Sequence, residues 1–97
     1  MRQNQTGPAA SLRRAEGVFS NAVADRAVLY SRNEGKAIVL NPTGAVLWEA
    51  LESPRTPSEL AESLVRRFPG LPADRALADV SAFLDRLLGE GVLQPVS

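Results

Sequence analysis

Side chains able to do chemistry on their own are scarce in this 97-residue sequence, and the absences decide more than the presences. There is no His and no Cys, which removes the usual general base, the thiolate nucleophile and the commonest ligands of a transition metal together. The eight serines therefore have no imidazole or thiolate partner, and no G-x-S-x-G elbow presents one of them. Neither common glycine-rich phosphate loop is present. The eleven carboxylates are spread along the chain, and although folding could bring two together, no spacing points to such a pair. The expectation is a non-catalytic protein with no metal and no cofactor.

Charge narrows the partners. Eleven basic and eleven acidic residues cancel, so no global field draws the chain to nucleic acid or to an anionic membrane. The composition, 44% hydrophobic and 23% charged, is that of an ordinary globular domain. No apolar run approaches the roughly 20 residues of a membrane span, and the N-terminus lacks the apolar centre of a signal peptide. A cytoplasmic protein is expected. Residues 1–17, MRQNQTGPAASLRRAEG, are polar and show no apolar period, which reads as a mobile tail ahead of one domain over 18–97.

The elements that would carry a site follow from apolar period and turn residues. VFSNAV (18–23), RAVLYS (26–31) and KAIVL (36–40) read as strands, separated by Ala24-Asp25 and by a turn ending in Gly35. They predict a three-stranded antiparallel meander. Asn41-Pro42 closes the third strand and opens a helix, because Asn is a strong N-cap and Pro suits the first helical position. That helix is expected to about Glu52, with Val46, Leu47, Ala50 and Leu51 inward and Trp48 on their flank. Thr56-Pro57-Ser58-Glu59 is a capping box, opening a second helix over 57–68 with Leu60, Leu64, Val65 and Phe68 as its apolar stripe. A third helix over 73–88 stops at Gly89 and Gly91. VLQPV (92–96) reads as a short extended segment packing back on the sheet. The fold class is α+β, three antiparallel strands followed by three helices, with the outline of a winged helix-turn-helix.

That outline raises DNA binding as the alternative, the third helix being the reader in the major groove. Its charges oppose it: Asp74, Asp79, Asp85 and Glu90 outnumber Arg75 and Arg86, where phosphates want the reverse. On the third helix, Leu77, Val80, Leu84, Leu87 and Leu88 share one arc and read as core. Ala76, Asp79, Phe83 and Arg86 share a mixed face beside it. Phe83 either closes the core edge or floors a groove against a neighbouring strand. The strand 36–40 would be that neighbour, and it is an apolar edge guarded only by Lys36. Such an edge is a hazard unless covered or used, and one use is strand addition of an extended peptide. A third reading is a homodimer in which that edge pairs with itself.

The runs GKAIVLNPTGAVLWEAL, TPSELAESLVRRF and DVSAFLDRLLGEGVL together resemble the PqqD-like proteins, small peptide-binding chaperones also called precursor peptide recognition elements. The likeness covers about 17–93. It is carried by Leu40-Asn41-Pro42-Thr43-Gly44-Ala45 with Trp48, and by Asp79, Val80, Phe83, Leu84, Leu87, Gly91 and Leu93. The resemblance implies a winged-helix-like fold whose third strand receives the leader of a ribosomally made precursor peptide against the third helix. It implies presentation to a modifying enzyme, such as a radical S-adenosylmethionine enzyme, or to a leader protease. Carried over residue by residue, the peptide-binding positions are Lys36, Ala37, Ile38, Val39 and Leu40 on the strand. On the helix they are Ala76, Asp79, Val80, Phe83, Arg86 and Leu87. The strand lacks the aromatic richness of lasso-type members, which leaves the pathway open.

Overall fold

The computed structural model describes residues 10–32 and 34–96. Its elements are β1 (Leu12–Arg14), β2 (Val18–Val23), β3 (Arg26–Ser31), β4 (Lys36–Leu40), α1 (Pro42–Ala50), α2 (Pro57–Arg67), α3 (Ala73–Gly89) and β5 (Leu93–Pro95). The expected α+β architecture is present, with an antiparallel sheet in the order β2-β3-β4; α1 packs on β3 and β4, on the face that buries Leu29, Ile38 and Leu40. The capping signals act as their residue types require. Asn41 Oδ1 accepts from Gly44 N at 2.8 Å, and Thr56 and Glu59 close the capping box reciprocally.

Two features differ from expectation at the chain's ends. Residues 1–9 of the expected tail lie outside the described residues, but the same tail was to include 12–14, which form β1. This strand pairs antiparallel with β5, so the C-terminal segment packs on β1 and not on the larger sheet. Leu12 N and O also exchange bonds with Arg55, at 2.8 and 3.0 Å. Leu12 is buried, and apolar burial together with main-chain pairing orders a segment whose sequence shows no strand period.

The core runs from Leu29, Ile38 and Leu40 under the sheet to Leu47, Leu51, Leu60, Leu64, Val80 and Leu87 on the helices. Trp48 departs from its expected place on a flank and is buried. Arg14 explains it: its guanidinium lies 4.5 Å from the Trp48 ring centroid and donates to the Trp48 carbonyl at 2.5 Å. Burial pulls the Arg14 pKa below its ordinary value, and Glu52 and Glu49 partly offset this. On α2, Val65 is exposed rather than inward, and Ala61 takes the buried place. On α3 the buried face is turned from the expected arc. Ala76, Val80, Phe83, Leu84 and Leu87 are buried, whereas Leu77 and Leu88 are 52% and 37% exposed.

Candidate functional site

The strand β4 is an edge: among the described residues it pairs with β3 alone. Which of its main-chain groups are free follows from one bond. Arg32 N donates to Gly17 O at 2.9 Å, continuing the register in which Val18 faces Ser31. In an antiparallel ladder, alternate residues turn their N–H and C=O to the same neighbour. Arg26, Val28, Tyr30 and Arg32 therefore bond toward β2, and Ala27, Leu29 and Ser31 bond toward β4. Their partners in β4 are Leu40, Ile38 and Lys36. Ala37 and Val39 are left presenting N–H and C=O to the open side.

Side chains alternate in step with these groups. Ile38 and Leu40 point under the helices, 4% and 2% exposed. Ala37 and Val39 point to the outer face of the sheet, where Phe19, Val23 and Tyr30 are also exposed. The edge thus has a polar main-chain rail with exposed apolar side chains on its outer face and buried ones beneath it.

At the Leu40 end of the rail is a cleft of about 340 Å³. One wall is the end of β4 and the first turn of α1, with Leu40, Thr43, Gly44 and Leu47. The other is α3, with Arg75, Asp79, Phe83 and Arg86. Gly44 lets the first wall close up, since a Cβ there would come within 3.3 Å of Leu40 Cβ and of Asn41 Oδ1. Arg75 and Asp79 neutralise one another, Nε to Oδ1 3.5 Å apart. Farther along, Lys36 Nζ meets Glu90 Oε1 at 2.5 Å, tying the start of β4 to the end of α3. The same hydrogen bond raises the Lys36 pKa and lowers that of Glu90.

The positions expected from the sequence divide into three groups. Leu40, Asp79, Phe83 and Arg86 come together in the cleft. Lys36, Ala37 and Val39 are exposed along the edge. Ile38, Ala76, Val80 and Leu87 are core residues that hold the two walls in place. Phe83 unites its two readings, being 9% exposed within the core while its remaining surface lines the cleft. Sequence reasoning missed Thr43, Gly44, Asn41, Leu47, Arg75 and Ala82 as lining residues. The signal for the first two was the Asn41 cap, which fixes the first turn of α1 against the end of β4.

Among the described residues no cluster of His, Cys, Asp and Glu is suited to a metal, and no helix is long and apolar enough to cross a membrane. The DNA reading finds a poor surface on α3: much of the helix is turned into the core, and its exposed side sets Arg75 and Arg86 among Asp74, Asp85, Leu77 and Leu88, where a reading helix needs an excess of arginine and lysine.

Comparison with known proteins gives two findings. The family model described as Coenzyme PQQ synthesis protein D (PqqD) matches residues 26–93, a span that holds both walls of the cleft. The fold is shared with a solved structure of TbiB1 in complex with the TbiA(beta) leader peptide, at 21% identity and a TM-score of 0.78. The match covers 88% of this chain and 98% of that one. No curated protein matches the chain.

Proposed function

The chain belongs to the PqqD family, and from that premise we propose that it binds the leader of a ribosomally made precursor peptide and presents it to a modifying enzyme. The leader adds as a fourth strand to β4, and its alternate side chains enter the cleft against α3. The observation that carries this is the pairing of an open strand edge, with Ala37 and Val39 facing outward, and a cleft at its Leu40 end. Main-chain bonds to Ala37 and Val39 supply affinity that tolerates many sequences. Phe83, Leu40 and the charged side chains of α3 supply selectivity.

In this reading the chain performs no catalysis; the bond-making belongs to its partner, a radical S-adenosylmethionine enzyme or a leader protease, in the cytoplasm. The binding unit is the domain over 18–97, extended at its front by β1. The leader peptide of TbiB1's complex supports the same use of a shared fold.

The test is fluorescence anisotropy with a labelled leader peptide and, separately, a labelled DNA duplex, across a salt series. Binding through phosphate contacts falls by about 10³-fold or more between about 50 and 200 mM salt. The expected result is leader binding that changes little over that range and no specific DNA binding. Saturable, steeply salt-dependent binding of DNA with none of the leader would reverse the assignment.

A further inference from the structure

The cleft sits at the Leu40 end of the rail, and the groove between β4 and α3 continues from it toward Lys36 with a definite order of charges. Leu40 shares the cleft with Asp79 and Phe83, while Lys36 is bonded to Glu90. So α3 lies alongside β4 in the opposite direction. The spans agree: Leu40 to Lys36 is roughly 13 Å of strand, and Phe83 to Glu90 is roughly 10 Å of helix. Arg86, three residues beyond Phe83, therefore stands at about the level of Ile38.

The charges along this wall are unevenly satisfied. Arg75 is paired with Asp79 and Lys36 with Glu90. Among the described residues Arg86 makes no ion pair, and its exposed guanidinium lines the cleft. Glu90, one helical turn on, feels its charge but is hydrogen-bonded to Lys36. Asp79 is the sole carboxylate among the described lining residues, and it is already engaged.

Strand geometry converts this into a sequence rule for the guest. Leader residues directly opposite Ala37 and Val39 point to the outer face of the sheet, and those opposite Ile38 and Leu40 point to the cleft side. A residue opposite Leu40 meets the exposed edge of Phe83, above the buried Leu40 and Leu47. The next on that side, two positions away, meets Arg86. A residue four positions away meets the Lys36–Glu90 pair, which is already neutral. We propose that the cleft selects a leader in which an apolar anchor is followed, two positions toward the Lys36 end, by Asp or Glu held by Arg86. In an antiparallel leader the acid is C-terminal to the anchor; in a parallel one it is N-terminal.

This rests on strand addition at β4, and the experiment separates the two. A phage library of short random peptides is selected against the full chain and, in parallel, against Arg86→Glu. The expected enrichment is an apolar residue with Asp or Glu two positions away, changing to Lys or Arg for the variant. Replacing that acid by its amide in a synthetic selected peptide should weaken binding about two- to fivefold, as an exposed ion pair does. The loss should vanish against Arg86→Gln. Enriched peptides that share the anchor but show no acid at that spacing, or whose preference Arg86→Glu leaves unmoved, overturn the rule and leave strand addition standing. No enrichment against either chain overturns both.

Discussion

Proline scanning of β4 puts the register to a quantitative test. Val39 turns its N–H to the open side and its side chain, 56% exposed, to the outer face. Val39→Pro therefore removes no bond to β3 and empties no core volume, and the fold should lose about 1 kcal/mol or less. The leader loses one of its two donors on the rail. One main-chain hydrogen bond is worth about 0.5–1.5 kcal/mol net, and the proline ring also crowds the incoming strand. A total of about 1–3 kcal/mol corresponds to roughly a 5- to 150-fold weaker Kd. Ile38→Pro is the opposite case. It breaks the ladder to Leu29 and replaces a side chain that is 4% exposed, so about 3 kcal/mol or more of stability should go. Urea melts read the first quantity and anisotropy titrations with the leader read the second. If Val39→Pro unfolds the protein while Ile38→Pro folds and loses binding, it is Val39, not Ile38, whose main chain bonds to β3. If both variants fold and bind normally, strand addition at β4 is refuted.

Phe83→Ala should lower stability by about 3–5 kcal/mol, because the ring is 9% exposed within the core, and should weaken leader binding as well. The gentler Phe83→Leu keeps the fold and isolates the binding loss; an unchanged Kd for it would remove the ring from the site. Leu64→Ala, fully buried on α2, should cost about 2–5 kcal/mol in denaturant melts and leave the Kd of the folded fraction unaltered. The Lys36–Glu90 pair gives a pH signature. Glu90's pKa is lowered and Lys36's raised by their shared hydrogen bond, so the pair stabilises the fold between the two ionisations. Its contribution is lost as pH falls through the lowered Glu90 value and as pH rises through the raised Lys36 value. Melts of the parent and Glu90→Gln should differ most near neutrality and converge in strong acid; a gap that widens in acid contradicts the assignment.

Local signals made much of this fold legible. The strands at 18–23, 26–31 and 36–40 match the observed ones because each is bracketed by residues that cannot continue it: Ala24-Asp25, Gly35 and Asn41-Pro42. Helix starts at Pro42 and Pro57 were equally plain from their caps. What stayed hidden was set by partners far away in sequence. Leu12-Arg13-Arg14 has no apolar alternation, and it becomes a strand only because Leu93-Gln94-Pro95 pairs with it. Trp48 looked peripheral because nothing in the sequence announces that Arg14 will cover it. On α3 the apolar arc was broad enough to allow more than one rotation. The neighbours chose the one that buries Ala76 and Phe83 and leaves Leu77 and Leu88 outside. The strand half of the site was readable from one unguarded apolar edge. Its other boundary, the first turn of α1, was visible only as a cap, not as a wall.

Residue-resolved amide exchange, with and without bound leader, tests strand addition most directly. In the free protein the Ala37 and Val39 amides should exchange rapidly, while Ile38 and Leu40, bonded to β3, are protected. On binding, Ala37 and Val39 should become protected, with slower exchange also along 79–86 of α3. Protection that appears on α2 or β2 while Ala37 and Val39 continue to exchange as before would place the leader elsewhere and contradict the account.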